Sequence, residues 1–211
     1  MKTSKLKVTG AILAGGKSRR MGRNKALLPL GGKPVVQRLV VQFEEMFEET
    51  MLIANDPELY QVYSSKIVPD IFPGKGPLAG LHAALNGAKN DWVFLTACDT
   101  PFVQTEVVMG MAELRKGTDA VLAETEDGLQ PLNAFYSRRC LPFIENRLRT
   151  GKFKMISFHS DVKIRIVQPL ELPQWDPDTR TFWNMNTPED YEEALARFQA
   201  APDTKPEVVE N

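Results

Sequence analysis

Val8-Thr9-Gly10-Ala11-Ile12-Leu13 runs directly into Ala14-Gly15-Gly16-Lys17-Ser18-Arg19-Arg20-Met21-Gly22-Arg23-Asn24-Lys25. Val8–Leu13 reads as a buried strand, and Ala14–Asn24 as the loop that leaves its carboxyl end. Gly15 and Gly16 let the backbone pass close to a ligand and turn its N–H groups toward phosphate oxygens. Lysine and arginine add mobile positive charge, and Lys25 is far enough along to close over the phosphates from another side. Two better-known phosphate loops do not fit. A Walker loop needs glycine at position 11, which is alanine, and Ile12-Leu13 belong to the strand; the dinucleotide fingerprint GxGxxG is absent as well. The remaining alternative for the string alone is a generic basic turn.

Charge around this loop points the same way. Residues 1–43 hold ten Lys/Arg and no Asp or Glu, leaving 16 basic against 27 acidic residues in the rest of the chain. The formal charge of −1 therefore hides a strongly cationic amino-terminal block. Such a block suits an anionic ligand, and read alone also suits a solvated basic surface or a transit peptide. Nucleic acid is not expected, because the cluster sits in a glycine-rich turn and the first aromatic is Phe43. At 211 residues, 43% hydrophobic and 25% charged, the composition is that of a globular domain and excludes collagen, coiled coil and wholesale disorder. Cys98 and Cys140 form no CxxC and read as reduced thiols. No apolar run approaches the roughly 18 residues of a membrane span, and MKTSKLKVTG lacks the apolar centre of a signal peptide. These features lead us to expect a soluble cytoplasmic protein.

Outward from the loop, short apolar runs alternate with amphipathic stretches. The pattern predicts strands at Val8–Leu13, Thr50–Ala54, Ile67–Val68, Trp92–Ala97, Asp119–Ala123, Pro131–Tyr136 and Val162–Val167. It predicts helices at Pro34–Phe47, Pro77–Ala88, Thr105–Lys116 (Thr105 as N-cap), Arg138–Arg149 and Pro188–Phe198, the last capped by Thr187. Continuous apolar strands alternating with helices argue for a mainly parallel sheet covered on both faces. Ligands bind such sheets beyond the carboxyl ends of the strands, where 14–25, Asp70 and Asp99 all fall.

LAGGKSRRMGRNK resembles the signature LAGGxSxRMGxxK of the molybdenum cofactor guanylyltransferases, the MobA family. The likeness continues in order through Asn55-Asp56, Asp70, Gly76-Pro77-Leu78-Ala79-Gly80, Ala97-Cys98-Asp99-Thr100-Pro101-Phe102, Gln130-Pro131-Leu132 and Asn184-Met185-Asn186-Thr187-Pro188-Glu189-Asp190. The resemblance implies a single-domain, three-layer α/β/α Rossmann-like nucleotidyltransferase fold with a mainly parallel (mixed) sheet, spanning 1–200. The Pro-rich, polar stretch 201–211 is expected to be a disordered tail. The implied reaction transfers GMP from GTP to the terminal phosphate of molybdopterin and releases pyrophosphate. GTP is then a co-substrate, Mg²⁺ the cofactor and molybdopterin the acceptor. Transient contacts with cofactor-biosynthesis proteins or acceptor molybdoenzymes follow from the same family.

Carried over residue by residue, Leu13, Ala14 and Gly15 match the backbone that receives the nucleotide, and Lys25 the lysine on its phosphates. Asn55 and Asp70 match positions lining guanine, and Gly80 belongs to the wall of that pocket. Asp99 matches the magnesium ligand, so Lys25 and Asp99 are the implied catalytic pair. Asn184 and Asn186 match a segment near the metal and the acceptor. Read without the family, Asp99 is a turn residue before Thr-Pro, Asp70 a loop carboxylate, and Asn186-Thr187-Pro188-Glu189 a helix start. Arg19 reads equally as a phosphate contact or a solvated side chain. His82 and His159 lie outside the motifs and read as structural or exposed. The other functions weighed are a CTP-dependent molybdopterin cytidylyltransferase, whose relatives usually read LAAG where this chain has LAGG, and a nucleotide-binding regulator or assembly partner without catalysis.

Overall fold

The computed structural model describes residues 4–15, 24–64, 66–178 and 180–200. Its elements in chain order are β1 (Leu6–Leu13), β2 (Pro29–Leu30), β3 (Lys33–Pro34), α1 (Val35–Met46), β4 (Phe47–Ile53), α2 (Pro57–Tyr60), β5 (Ile67–Val68), α3 (Pro77–Gly87), β6 (Trp92–Ala97), α4 (Thr105–Glu113), β7 (Ala120–Thr125), β8 (Gly128–Ser137), α5 (Leu141–Arg149), β9 (Ile164–Val167) and α6 (Pro188–Ala200). β2 and β3 form a small antiparallel ribbon. The other seven strands make one sheet in the order β5-β4-β1-β6-β8-β7-β9. β8 alone runs against the rest, pairing antiparallel with both β6 and β7. The expected mixed, mainly parallel sheet is therefore present.

Period-two burial divides the core into two layers. Val8, Ile12 and Phe94 face a cluster completed by Val36, Leu39 and Phe43 of α1, Val107 and Met111 of α4, and Ala194 of α6. Ala11, Val93 and Leu95 face the opposite cluster, with Leu78, Leu81 and Leu85 of α3 and Ile144 and Leu148 of α5. Burying both faces of β1 and β6 explains why their sequences read as near-continuous apolar runs.

Several boundaries differ from those the sequence predicts. β4 starts at Phe47, directly after α1, because the inward-facing Glu49 is held by Thr9 Oγ1 at 2.6 Å, Lys66 Nζ at 2.5 Å and the Lys89 N–H at 2.8 Å. Long-range polar partners let Glu49 enter the strand facing inward, while Glu48 faces solvent. The N-cap of α4 is Gln104, whose N–H donates to Thr181 Oγ1 at 3.2 Å, and Thr105 is the first helical residue. Thr187 does cap α6: its Oγ1 accepts from the Asp190 N–H at 3.1 Å while Asp190 accepts from the Thr187 N–H at 2.8 Å, a reciprocal box.

On the α1 face, the rings of Phe43 and Phe47 meet edge-on at 5.0 Å, and Phe94 stacks on Phe47 at 5.8 Å. Gly10 of β1 lies beneath them. A Cβ there would stand 2.4 Å from Phe47 and 2.6 Å from Phe43, both fully buried. Gly10→Ala should therefore destabilise the protein by about 1–3 kcal/mol through overpacking; urea unfolding with an unchanged midpoint would refute that packing.

Candidate functional site

The order β5-β4-β1-β6 means that the chain steps outward from β1 through β4 to β5 and then returns to the other side of β1 as β6. A crevice opens at such a reversal, beyond the carboxyl ends of the two strands beside it. Leu13, the last residue of β1, pairs with Ile53 on one side and Ala97 on the other. The register continues into the loops: the Ala14 N–H donates to Ile53 O at 3.1 Å, and the Cys98 N–H to Leu13 O at 3.2 Å. The loop after β1 and the turn carrying Asp99 consequently leave the sheet side by side.

Gly80 seals one wall. A Cβ on it would lie 2.6 Å from Leu13 Cδ2, so glycine is what lets α3 approach the end of β1. Gly15 differs, because among the described residues a Cβ there would meet Ala54 Cα and Ile53 O at 3.8 Å, an ordinary contact. Its exposed backbone is open to a ligand rather than required by packing. Gly16 and Arg19 lie outside the described residues, as does the 201–211 tail.

Beyond β4 and β5, Asn55 and Asp70 are a reciprocal pair. Asn55 Nδ2 donates to Asp70 Oδ2 at 3.1 Å, and the Asp70 N–H donates to Asn55 Oδ1 at 2.9 Å. The pair is exposed, and it fixes a carboxylate acceptor and an amide together at the crevice edge. Across from it, Lys25 Nζ donates to Asn186 Oδ1 at 3.0 Å. The Asn186 N–H is in turn held by Asp190 Oδ2 at 2.6 Å. Asn184 donates its Nδ2 only to the nearby Phe182 O, at 3.0 Å, and is exposed. Met185 between the two asparagines donates its N–H to Asp99 O at 2.7 Å, which docks the 184–186 segment onto the Asp99 turn. Residues more than 160 positions apart in the chain thus meet at one place.

Asp99 is the most informative group. Its Oδ1 is buried and has no hydrogen-bond partner among the described residues. Burial pushes its carboxyl above the usual carboxylate range, against the opposing pull of Lys25. The turn is held from beneath by a buried network: Thr96 Oγ1 donates to Asn133 Oδ1 at 2.6 Å, and Thr100 Oγ1 donates to Ala97 O at 3.0 Å. An unpartnered buried carboxylate oxygen fits a hard divalent cation, which takes oxygen ligands. Among the described residues no three acidic, histidine or cysteine side chains gather into a metal cluster. Asp99 would then be a lone protein ligand, with waters and phosphate oxygens filling the other positions.

Sequence reading missed the supports. Thr100 stands in the 97–102 motif and ties back to Ala97 within its own turn, but Asn133 acts through a tertiary contact with no local signal. Tyr60 does too: its hydroxyl donates to Ala14 O at 2.6 Å and accepts from Asn24 Nδ2 at 2.8 Å. The histidines stay outside the site. His82 is buried beside Phe72, with Glu145 at 3.8 Å, and His159 packs edge-on against Phe158; burial lowers both pKa values.

The match to the family described as MobA-like NTP transferase domain covers residues 10–162. A molybdenum cofactor guanylyltransferase of Desulfosudis oleivorans is 36% identical over 195 residues, 92% of this chain and 96% of that protein. A probable molybdenum cofactor guanylyltransferase of Carboxydothermus hydrogenoformans is 39% identical over 191 residues, 90% of this chain and 96% of that protein. In structure, molybdopterin-guanine dinucleotide biosynthesis protein A of Archaeoglobus fulgidus superposes with a TM-score of 0.81 at 25% identity, covering 92% of this chain and 100% of that one.

The raised pKa of Asp99 has a stability consequence. A carboxyl raised in the folded state contributes stability below its unfolded pKa and loses it as pH rises through the folded pKa. At pH 7 the ionised group is therefore a liability to the ligand-free protein. Asp99→Asn should melt higher than wild type at pH 7 without metal or nucleotide, by about 1 kcal/mol or roughly 2–4 °C. The difference should shrink as the pH is lowered below the folded pKa. A gain that does not vary with pH would refute the assignment of burial strain to this carboxylate.

Proposed function

The chain belongs to the MobA-like NTP transferase family, and from that premise we propose that it is a molybdenum cofactor guanylyltransferase, forming the guanine dinucleotide of molybdopterin from GTP. The observation that carries the reading is the meeting of Lys25 with Asn186, and of Asp99 with the 184–186 segment, at the β1–β6 crevice. Curated relatives named for this activity align over about nine-tenths of the chain.

The terminal phosphate of molybdopterin attacks the α-phosphorus of GTP. A new P–O bond forms to the acceptor, the bond from the α-phosphorus to the α–β bridging oxygen breaks, and pyrophosphate leaves. A phosphate monoester is already ionised near neutral pH, so no general base is needed. That accords with two histidines, buried His82 and half-buried His159, that stand outside the motifs. The work is positioning and charge neutralisation. Leu13 and Ala14, whose backbone groups are engaged with Cys98, Ile53 and Tyr60, form the rigid floor at the end of β1, and the exposed backbone of Gly15 meets the nucleotide there. Lys25 exchanges its amide partner on Asn186 for phosphate oxygens, where a full negative charge makes a stronger hydrogen bond. Asn55 holds Asp70 so that its carboxylate accepts from the N1–H and N2–H₂ edge of guanine, with Gly80 in the wall behind. Asn184 and Asn186 lie on the acceptor side. Asp99 would hold Mg²⁺, which when bound supplies positive charge to the triphosphate and the departing pyrophosphate.

No helix among the described residues is long and apolar enough to cross a membrane. We place the reaction in the cytoplasm, with the finished cofactor passing through transient contact to biosynthesis proteins or acceptor molybdoenzymes.

The reading is tested first by melting with Mg²⁺ and GTP, CTP or ATP in parallel. At 100 times the dissociation constant, native-state binding adds about 2.7 kcal/mol, a rise of roughly 5–11 °C for a chain of this size. A shift with GTP alone, lost in Lys25→Ala, is expected; a selective CTP shift would assign cytidylyl transfer instead. With molybdopterin supplied, Lys25→Ala should slow pyrophosphate release by about a hundredfold or more, on the order of 3 kcal/mol of transition-state stabilisation. Asp99→Asn should abolish Mg²⁺-dependent release while the protein stays folded, and near-normal turnover would remove Asp99 from the metal site. GTP binding without release by wild type would leave a nucleotide-binding regulator.

A further inference from the structure

We propose that Tyr60 is a positioning residue for nucleotide binding: its single hydroxyl ties together the two ends of the phosphate loop, at Ala14 and Asn24. The inference rests on the reading of Leu13–Gly15 and Lys25 as the nucleotide's phosphate contacts, and adds a residue that the family signature does not contain.

β1 leads into Ala14 and Gly15, and Asn24 stands at the start of a single turn of 3-10 helix, Lys25–Leu27. Asn24 caps that turn, its Oδ1 accepting from the Ala26 N–H at 3.1 Å. The other half of the same amide, Nδ2, donates to Tyr60 Oη at 2.8 Å, and Tyr60 Oη donates onward to Ala14 O at 2.6 Å. One oxygen atom thus uses its proton on the outgoing strand and a lone pair on the returning turn. Lys25 is the next residue after the tethered Asn24, so the anchor of the loop is also the anchor of the lysine.

The tether is itself fixed. Tyr60 is 2% exposed and packs into the core layer that holds Leu39, Phe43 and Leu52. Burial raises its phenol pKa above the ordinary value, which keeps the donating proton in place across the neutral range. It ends α2, which begins two residues after Asn55, the partner of Asp70. One short segment, 55–60, therefore supports both the Asn55–Asp70 pair and the phosphate loop. Ala14 and Asn24 adjoin Gly15 and Lys25, so fixing the first two leaves those contacts less conformational freedom to lose when a nucleotide binds. Without the hydroxyl, Ala14 O and Asn24 Nδ2 lose their common partner, and the bound nucleotide must order both ends itself.

Tyr60→Phe keeps the ring and removes the tether. Asn24→Ser keeps an N-cap oxygen on the 3-10 turn but is too short to reach Tyr60 Oη. Each variant should raise the Kd for GTP with Mg²⁺ about tenfold in direct binding, a shift equivalent to about 1.4 kcal/mol. KM for GTP should rise in parallel, with kcat at saturating GTP changing by less than about threefold. The double variant should bind no more than about twofold worse than the weaker single variant, because both act through one linkage. A merely structural tyrosine would lower the melting temperature and leave the Kd for GTP at its wild-type value; that result, or fully additive losses in the double variant, overturns the proposal. If Tyr60→Phe does not fold, Asn24→Ser carries the test alone, and wild-type affinity in it is equally decisive against the tether. Lys25→Ala separates the two levels. Lost affinity in Lys25→Ala with normal affinity in Tyr60→Phe removes only the tether, whereas a wild-type protein that binds no GTP removes the nucleotide reading as well.

Discussion

β1 pairs in parallel with a neighbour on each side, and those two ladders end together at Leu13. Because β4 and β6 approach β1 from opposite directions of the chain's path, the loops beyond Leu13, Ile53 and Ala97 emerge next to one another. The same two ladders require β1 to be buried on both faces, hence Ala11 against one helical layer and Val8 and Ile12 against the other. Small residues are then demanded where helices or rings come closest: Gly10 under the phenylalanine cluster, and Gly80 against Leu13. The crevice follows from strand pairing, and the loops need only furnish charge.

That charge is arranged before any ligand arrives. Lys25 is held out by Asn186, whose own backbone is held by Asp190. Asp99 is held in by the docked Met185 N–H and by the Thr96–Thr100–Asn133 network beneath it. One carboxylate oxygen is left buried without a partner among the described residues. A group of this kind stores an unfavourable desolvation that a cation or donor relieves. The ligand-free protein therefore carries a local instability at Asp99, of the kind found at preorganised sites.

Much of this was legible in the sequence, and the limits have physical reasons. Trp92–Ala97 and Ile67–Val68 stand where the sequence places them, because an apolar run bounded by Cys98-Asp99-Thr100-Pro101 or Pro69-Asp70 carries its own start and stop. Thr187 is a true cap because both partners of the box lie within three residues. Where the deciding partner is distant, the local signal fails. Glu49 falls short of the strand predicted from Thr50 and joins it only with Lys66 and Thr9 in place, and Thr105 loses the cap position to Gln104, whose N–H is met by Thr181 from another loop. At the site the same division holds. Lys25, Asn55, Asp70, Asp99 and Thr100 stand in the motif, whereas Tyr60 and Asn133 carry geometry, which exists only after the sheet has formed.

The distinction bears on how recognition is divided along the chain. The Asn55–Asp70 pair, on the base side in the proposed reading, sits on the turns after β4 and β5, and Ala14 and Gly15 follow β1. The two are bridged by the 55–60 segment through Asn55 at one end and Tyr60 at the other. On the opposite wall, 184–186 bridges Lys25 to the Asp99 turn. Each bridge is short and is anchored in the folded core or on the sheet. Displacement at one contact therefore reaches the next through a few hydrogen bonds, with no rearrangement of the sheet. A fold in which the strands fix position and two short segments join the binding loops can keep the sheet constant while the loop residues change the ligand.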